Sequence, residues 1–129
     1  MTAVADLLRA GADLLAAEPE RWFQGGFYQR ADTNWPLTTD ELIADQALLE
    51  TCYVCALGAV RVAAISAGVE RTSLFVVDQR ANYAFALAPA WRYYQDLSHY
   101  NDATERTVGE VVEALRGAAT AADEQQLTV

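Results

Sequence analysis

The chain has 129 residues, 53% apolar and 21% charged, with two cysteines and a formal net charge of −9. That length makes one domain able to bury roughly two-thirds of its unfolded surface, and the balance excludes disordered, fibrous and disulfide-framework classes. All nine basic residues are arginines scattered singly; no basic stripe offers the phosphate contacts of nucleic-acid binding, and the dispersed carboxylates suit solubility better than phosphate mimicry.

Residues 2–17 read as a helix, with Val4, Leu7, Leu8, Gly11, Leu14 and Leu15 at the 3.6 period and Asp6, Arg9 and Asp13 opposite. Those charges, with no basic region before them, speak against a secretory leader and for a reducing cytoplasmic setting. Pro19 stops the helix. Residues 22–36 form an aromatic-rich ordered loop around Gly25-Gly26. Thr38 and Glu41 have capping-box spacing, and Leu37 and Leu42 that of a hydrophobic staple. A buried central helix is therefore expected over about 38–67, with Gly68 as its C′ residue and a kink near Thr51 or Gly58.

One sector of that helix is small (Cys52, Cys55, Ala56, Ala59, Ala63, Ser66, Ala67), and the opposite one holds Ile43, Val54, Leu57 and Ile65 with Arg61. Cys52 to Val69 is apolar enough to suggest a membrane span. A charge such as Arg61 at mid-span costs about 2.5–3.5 kcal/mol, so a buried helix is the simpler reading. Residues 69–88 read as irregular chain or a short helix, because the strand-like run from Ser73 to Asp78 has no partner. Pro89 opens a helix over 89–98. Thr107 and Glu110 open another over 107–121, with Val108, Val111, Val112, Leu115 and Ala119 as its stripe. Residues 123–129 are expected to fray. The fold class expected is all-α: a compact single-domain bundle of four to five helices.

Cys52-x-x-Cys55 is open to three chemistries. A redox pair needs a helix N-terminus to lower a thiol pKa. A zinc site needs a second Cys or His pair, which the sequence lacks. Two small buried side chains need nothing more. No metal or cofactor is expected. Cys52 or Cys55 with His99 and Asn101 also supplies the residue types of a nucleophilic set, which only geometry can assemble. Asn101-Asp102 suits a turn before the last helix. Arg61 needs a buried carboxylate, for which Asp102 or Asp78 is available. Trp22, Phe23, Trp35, Trp91 and Tyr94 either pack together or form an aromatic surface for a protein partner.

The segments Trp22-Phe-Gln-Gly25, Cys55-Ala-Leu-Gly-Ala59, Tyr100-Asn-Asp102 and Thr107-Val-Gly-Glu-Val111 occur in that order. Together they resemble a family of short bacterial and phage proteins classed only as a domain of unknown function. The resemblance extends over most of the chain but is poor over 69–98, and Tyr100 stands where the family more often has Trp. The absence of lysine fits a GC-rich bacterial or phage gene. The resemblance implies a compact helical unit and, if phage-encoded, a host or defence component as partner. The function expected is that of a small acidic accessory protein that binds a protein partner and is not an enzyme. The alternatives are a thiol-dependent enzyme and a self-associating structural protein.

Overall fold

Helix α1 (Val4–Ala17) buries Val4, Leu7, Leu8, Gly11, Ala12 and Leu15, the face its sequence period marks. The computed structural model describes residues 1–88, 94 and 96–129. Over these the fold is a mostly helical bundle with one two-residue antiparallel ladder, β1 (Tyr28–Gln29) against β2 (Tyr53–Val54). The other helices are α2 (Thr39–Ala44), α3 (Gln46–Thr51), α4 (Ala56–Ser66), α5 (Leu74–Leu87), α6 (Leu97–Asn101) and α7 (Val108–Glu124). α1 packs chiefly on α7 and on α4. At the α1–α4 crossing a Cβ on Gly11 would stand 3.1 Å from the Val60 nitrogen, so the glycine sets how closely the two backbones approach.

The expected helix over 38–67 is broken twice. Asp45 leaves the helical region and its side chain accepts from Ala47 N at 3.0 Å, ending α2 and capping α3. Cys52 is extended, and Tyr53–Val54 pair with the aromatic loop instead of continuing a helix. Neither break needs Gly or Pro; one is a capping side chain, the other a tertiary pairing. The buried central helix is thus α4 alone, with Ala56, Leu57, Gly58, Ala59, Val60, Val62 and Ala64 inside. Among the described residues no helix is long and apolar enough to cross a membrane.

The local end signals stand where the sequence puts them. Both capping boxes form, at Thr38/Glu41 and Thr107/Glu110, and Leu37 and Leu42 are both buried. Gly68 (φ 83°) closes α4 in a Schellman turn, with Val69 N donating to Ala64 O and Gly68 N to Ile65 O, both at 3.0 Å. α7 ends the same way, but with Gln126 in the left-handed region (φ 53°). That turn redirects the last residues, expected to fray, onto the N-terminus. Val4 N donates to Leu127 O (3.0 Å) and Val129 N to Thr2 O (2.9 Å), while Leu127 and Val129 pack on the core.

Residues 69–88, expected to be irregular chain or a short helix, hold a 3₁₀ turn (Arg71–Ser73) and then α5, a full helix of 14 residues. Its sequence shows no clean period because apolar residues lie on both sides. The helix expected over 89–98 falls largely outside the described residues; of those described there, Leu97 and Ser98 are helical, in α6. α5 runs beside α4 and decides the partner of Arg61. Arg61 Nε donates to Asp78 Oδ1 (2.9 Å) and Nη2 to Oδ2, while Nη1 reaches the Tyr28 hydroxyl at 3.3 Å. Asp102, the other carboxylate considered, is not the partner. The Phe27 ring covers the guanidinium, 4.1 Å from its centroid. This two-point pair, with the Asp78 bond as the leading cause, holds the Arg61 pKa above its ordinary value.

Because both side chains are largely shielded, Asp78→Ala is expected to lower stability by about 2 kcal/mol, less than for a fully buried pair. Arg61→Met/Asp78→Ala together should cost less than Asp78→Ala alone, as urea unfolding of the three proteins would show.

Candidate functional site

Three segments far apart in the sequence meet at the start of α4, and the carboxamide of Asn101 joins them. Its Oδ1 accepts from Trp22 Nε1 (2.6 Å) and from Ala56 N (2.9 Å). Its Nδ2 donates to Phe23 O (3.1 Å) and to Asp102 Oδ1 (2.9 Å). Two acceptor and two donor places exhaust what an amide side chain offers. Gln24 Nε2 adds bonds to Asn101 O (2.9 Å) and Ala103 O (3.0 Å), and Gly25 N (φ 99°) donates to Asp102 Oδ1 at 3.0 Å. Gly58 admits the loop: a Cβ there would lie 2.0 Å from Phe27 O.

The assembled segments leave a cleft of about 210 Å³ lined by Gly25, Gly26, Phe27, Cys55, Ser98 and Asp102. Cys55 is the N-cap of α4, its Sγ accepting from Gly58 N at 3.2 Å. The break after α3 therefore gives this thiol the helix N-terminus that an unbroken helix would deny it. Burial nevertheless outweighs the helix and pushes the Cys55 thiol from an ordinary 9.0 up to about 11. Burial raises Cys52 as well, against the opposing pull of Arg21.

Cys52 and Cys55 flank an extended strand, which at ~3.3 Å per residue separates their Cα atoms by about 10 Å, beyond disulfide reach. Both are free and buried. Among the described residues no group of three or more His, Cys, Asp or Glu is placed to hold a metal ion.

Of the nucleophilic set, Cys55 and Asn101 come together at the start of α4. Asn101 has no hydrogen-bonding place left for an imidazole. His99 lies two residues away on α6, about 200° round the helix from it, exposed and edge-on to Tyr94 with centroids 5.5 Å apart.

The described aromatic residues among those expected to pack together or to form a partner surface stand in different surroundings. Trp22 and Phe23 are half-buried in the Asn101 junction, and Tyr94 packs at 85° on Tyr100 and accepts from Arg106 Nη2 (2.8 Å). Trp35 is 70% exposed, and Trp91 lies outside the described residues. Sequence reasoning missed Arg21, which is buried and donates to Cys52 O (2.9 Å) and Leu49 O (3.0 Å), capping α3.

The chain matches the model of DUF6197, a family of unknown function, over residues 1–121. It belongs to that family. No curated protein and no solved structure matches it. In this DUF6197 chain, three of the four segments that carry the resemblance converge on Asn101, and the fourth caps α7.

Two outcomes follow from this geometry. Replacing Asn101 with Leu leaves the Ala56 and Trp22 N–H groups and the Phe23 carbonyl unpaired, so urea unfolding followed by Trp fluorescence should show a loss of about 3 kcal/mol. The Cys55 thiol should alkylate at pH 7.5 about a hundredfold more slowly than free cysteine. Because burial disfavours its thiolate, this group leaves stability unchanged below pH 9.0 and lowers it by about 2–3 kcal/mol as pH rises to about 11.

Proposed function

We propose that the chain is a non-enzymatic accessory protein that docks a protein partner through the outward face of α5. The observation that carries this reading is a helix apolar on both sides but covered on one. Leu74, Val77, Ala81, Ala84 and Phe85 face the core. Phe75, Gln79, Tyr83 and Leu87 follow at four-residue steps on the opposite side, with Phe75 67%, Tyr83 51% and Leu87 41% exposed. A helix of this kind is normally buried all round.

Arg80 lies beside this ridge and forms no ion pair among the described residues, whereas seven other arginines do. Arg80, Gln79, Tyr83 and Leu127 line a shallow hollow of about 530 Å³. Exposed aromatics beside an unpaired arginine have the composition of an interface hot spot. They suit a partner that presents apolar side chains and a carboxylate. The full complement at Asn101 and the high Cys55 pKa speak against the thiol-enzyme alternative.

The test is affinity capture with the wild type and with Phe75→Ala/Tyr83→Ala, then titration of the purified captured protein. The double variant should fold normally and bind at least thirtyfold more weakly, about 2 kcal/mol at a hot spot. An empty capture, or equal affinity for both proteins, overturns the reading. Sedimentation showing concentration-dependent dimers abolished by the same variant would make the partner a second copy, and the reading would become self-association.

A further inference from the structure

The cleft beside Asn101 lies apart from the α5 ridge, and its lining has a definite chemistry. Among the described residues its one formal charge is the Asp102 carboxylate. Oδ1 of that group is held by Gly25 N (3.0 Å) and Asn101 Nδ2 (2.9 Å), whereas Oδ2 accepts no hydrogen bond among the described residues. Phe27 and Ser98 also line it, beside Cys55, whose thiol burial keeps neutral. The rim is fixed beforehand by the Asn101 bonds and by the Gly25–Asp102 contact, so a ligand would meet little ordering cost.

We infer that this cleft binds a guanidinium group, with Asp102 Oδ2 as its anionic acceptor and the Phe27 ring and Ser98 hydroxyl beside it. Size agrees: about 210 Å³ holds about seven waters at ~30 Å³ each, which suits an arginine side chain and is too small for a nucleotide. Shape agrees too, because a planar, weakly hydrated cation combines stacking on carbon with directed N–H donation. Phe27 already receives one guanidinium, that of Arg61, on its ring. The chain's net charge of −9 favours approach of a cation.

The experiment is a titration of the ¹⁵N-labelled full chain with three probes: acetyl-Gly-Arg-Gly-amide, its citrulline counterpart and agmatine. The arginine peptide should shift the Gly25, Gly26, Ser98 and Asp102 amides saturably, and the neutral citrulline peptide should bind at least tenfold more weakly. Asp102→Asn keeps the Oδ1 acceptor and removes the charge, and should also weaken the arginine peptide at least tenfold. If that variant unfolds, Ser98→Leu, which fills the cleft, provides the same comparison. Agmatine binding as tightly as the peptide identifies a free small cation as the ligand source, and tighter peptide binding identifies an arginine of a polypeptide. Citrulline binding as well as arginine, indifference to both variants, or shifts centred elsewhere would overturn the inference. Phe75→Ala/Tyr83→Ala should titrate like the wild type, which keeps this result separate from the α5 surface.

Discussion

A buried amide side chain has four hydrogen-bonding places, and in Asn101 each is filled by a different group. Trp22 and Phe23 bring the aromatic loop, Ala56 the first turn of α4, and Asp102 the end of α6. Substituting an apolar group of equal size would leave several partners without water or protein to replace the bond. The junction therefore specifies one arrangement of three segments that hydrophobic packing alone would leave free to slide. It also orders the cleft, because the chain stretches that line it are the ones the carboxamide holds.

The same region shows how a fold can place a group well and still withhold its chemistry. Cys55 stands at a helix N-terminus, where partial positive charge favours a thiolate. Removal from water opposes this more strongly, and the sulfur serves as a capping acceptor for Gly58 N. Arg21 shows the complementary case at the end of α3: a charge taken inside, with carbonyl oxygens and Glu18 as its partners. In an acidic chain most arginines find carboxylates nearby, which is why Arg80 stands out.

What the sequence made legible was mostly local. Capping boxes, the Gly68 stop and the inward face of α1 involve residues within one or two turns, and their spacing carries the physics. The break at Asp45 goes unmarked and the one at Cys52 is legible only as a kink near Thr51, for different reasons. An Asp followed by a helix turn is itself a capping signal, but a faint one where no Gly or Pro accompanies it. The extended Tyr53–Val54 depends on a loop twenty-five residues away in the chain and leaves only a weak mark in its β-favouring composition. α5 is legible only as one of two alternatives, a short helix or irregular chain, because a helix with two apolar sides gives no amphipathic period, and that property is the one the proposed docking surface rests on. Asp102 was legible as a turn residue, but its part in a cleft depends on Gly25 and Ser98, which no spacing links to it.

The clasp between Thr2 and Val129 has a practical bearing on handling the protein. Both ends emerge side by side, and Leu127 of that clasp also borders the hollow next to Tyr83 and Arg80. An affinity handle fused at either end would start from the same edge, shading the α5 ridge. A tether long and polar enough to swing clear would leave that ridge free for whatever it meets.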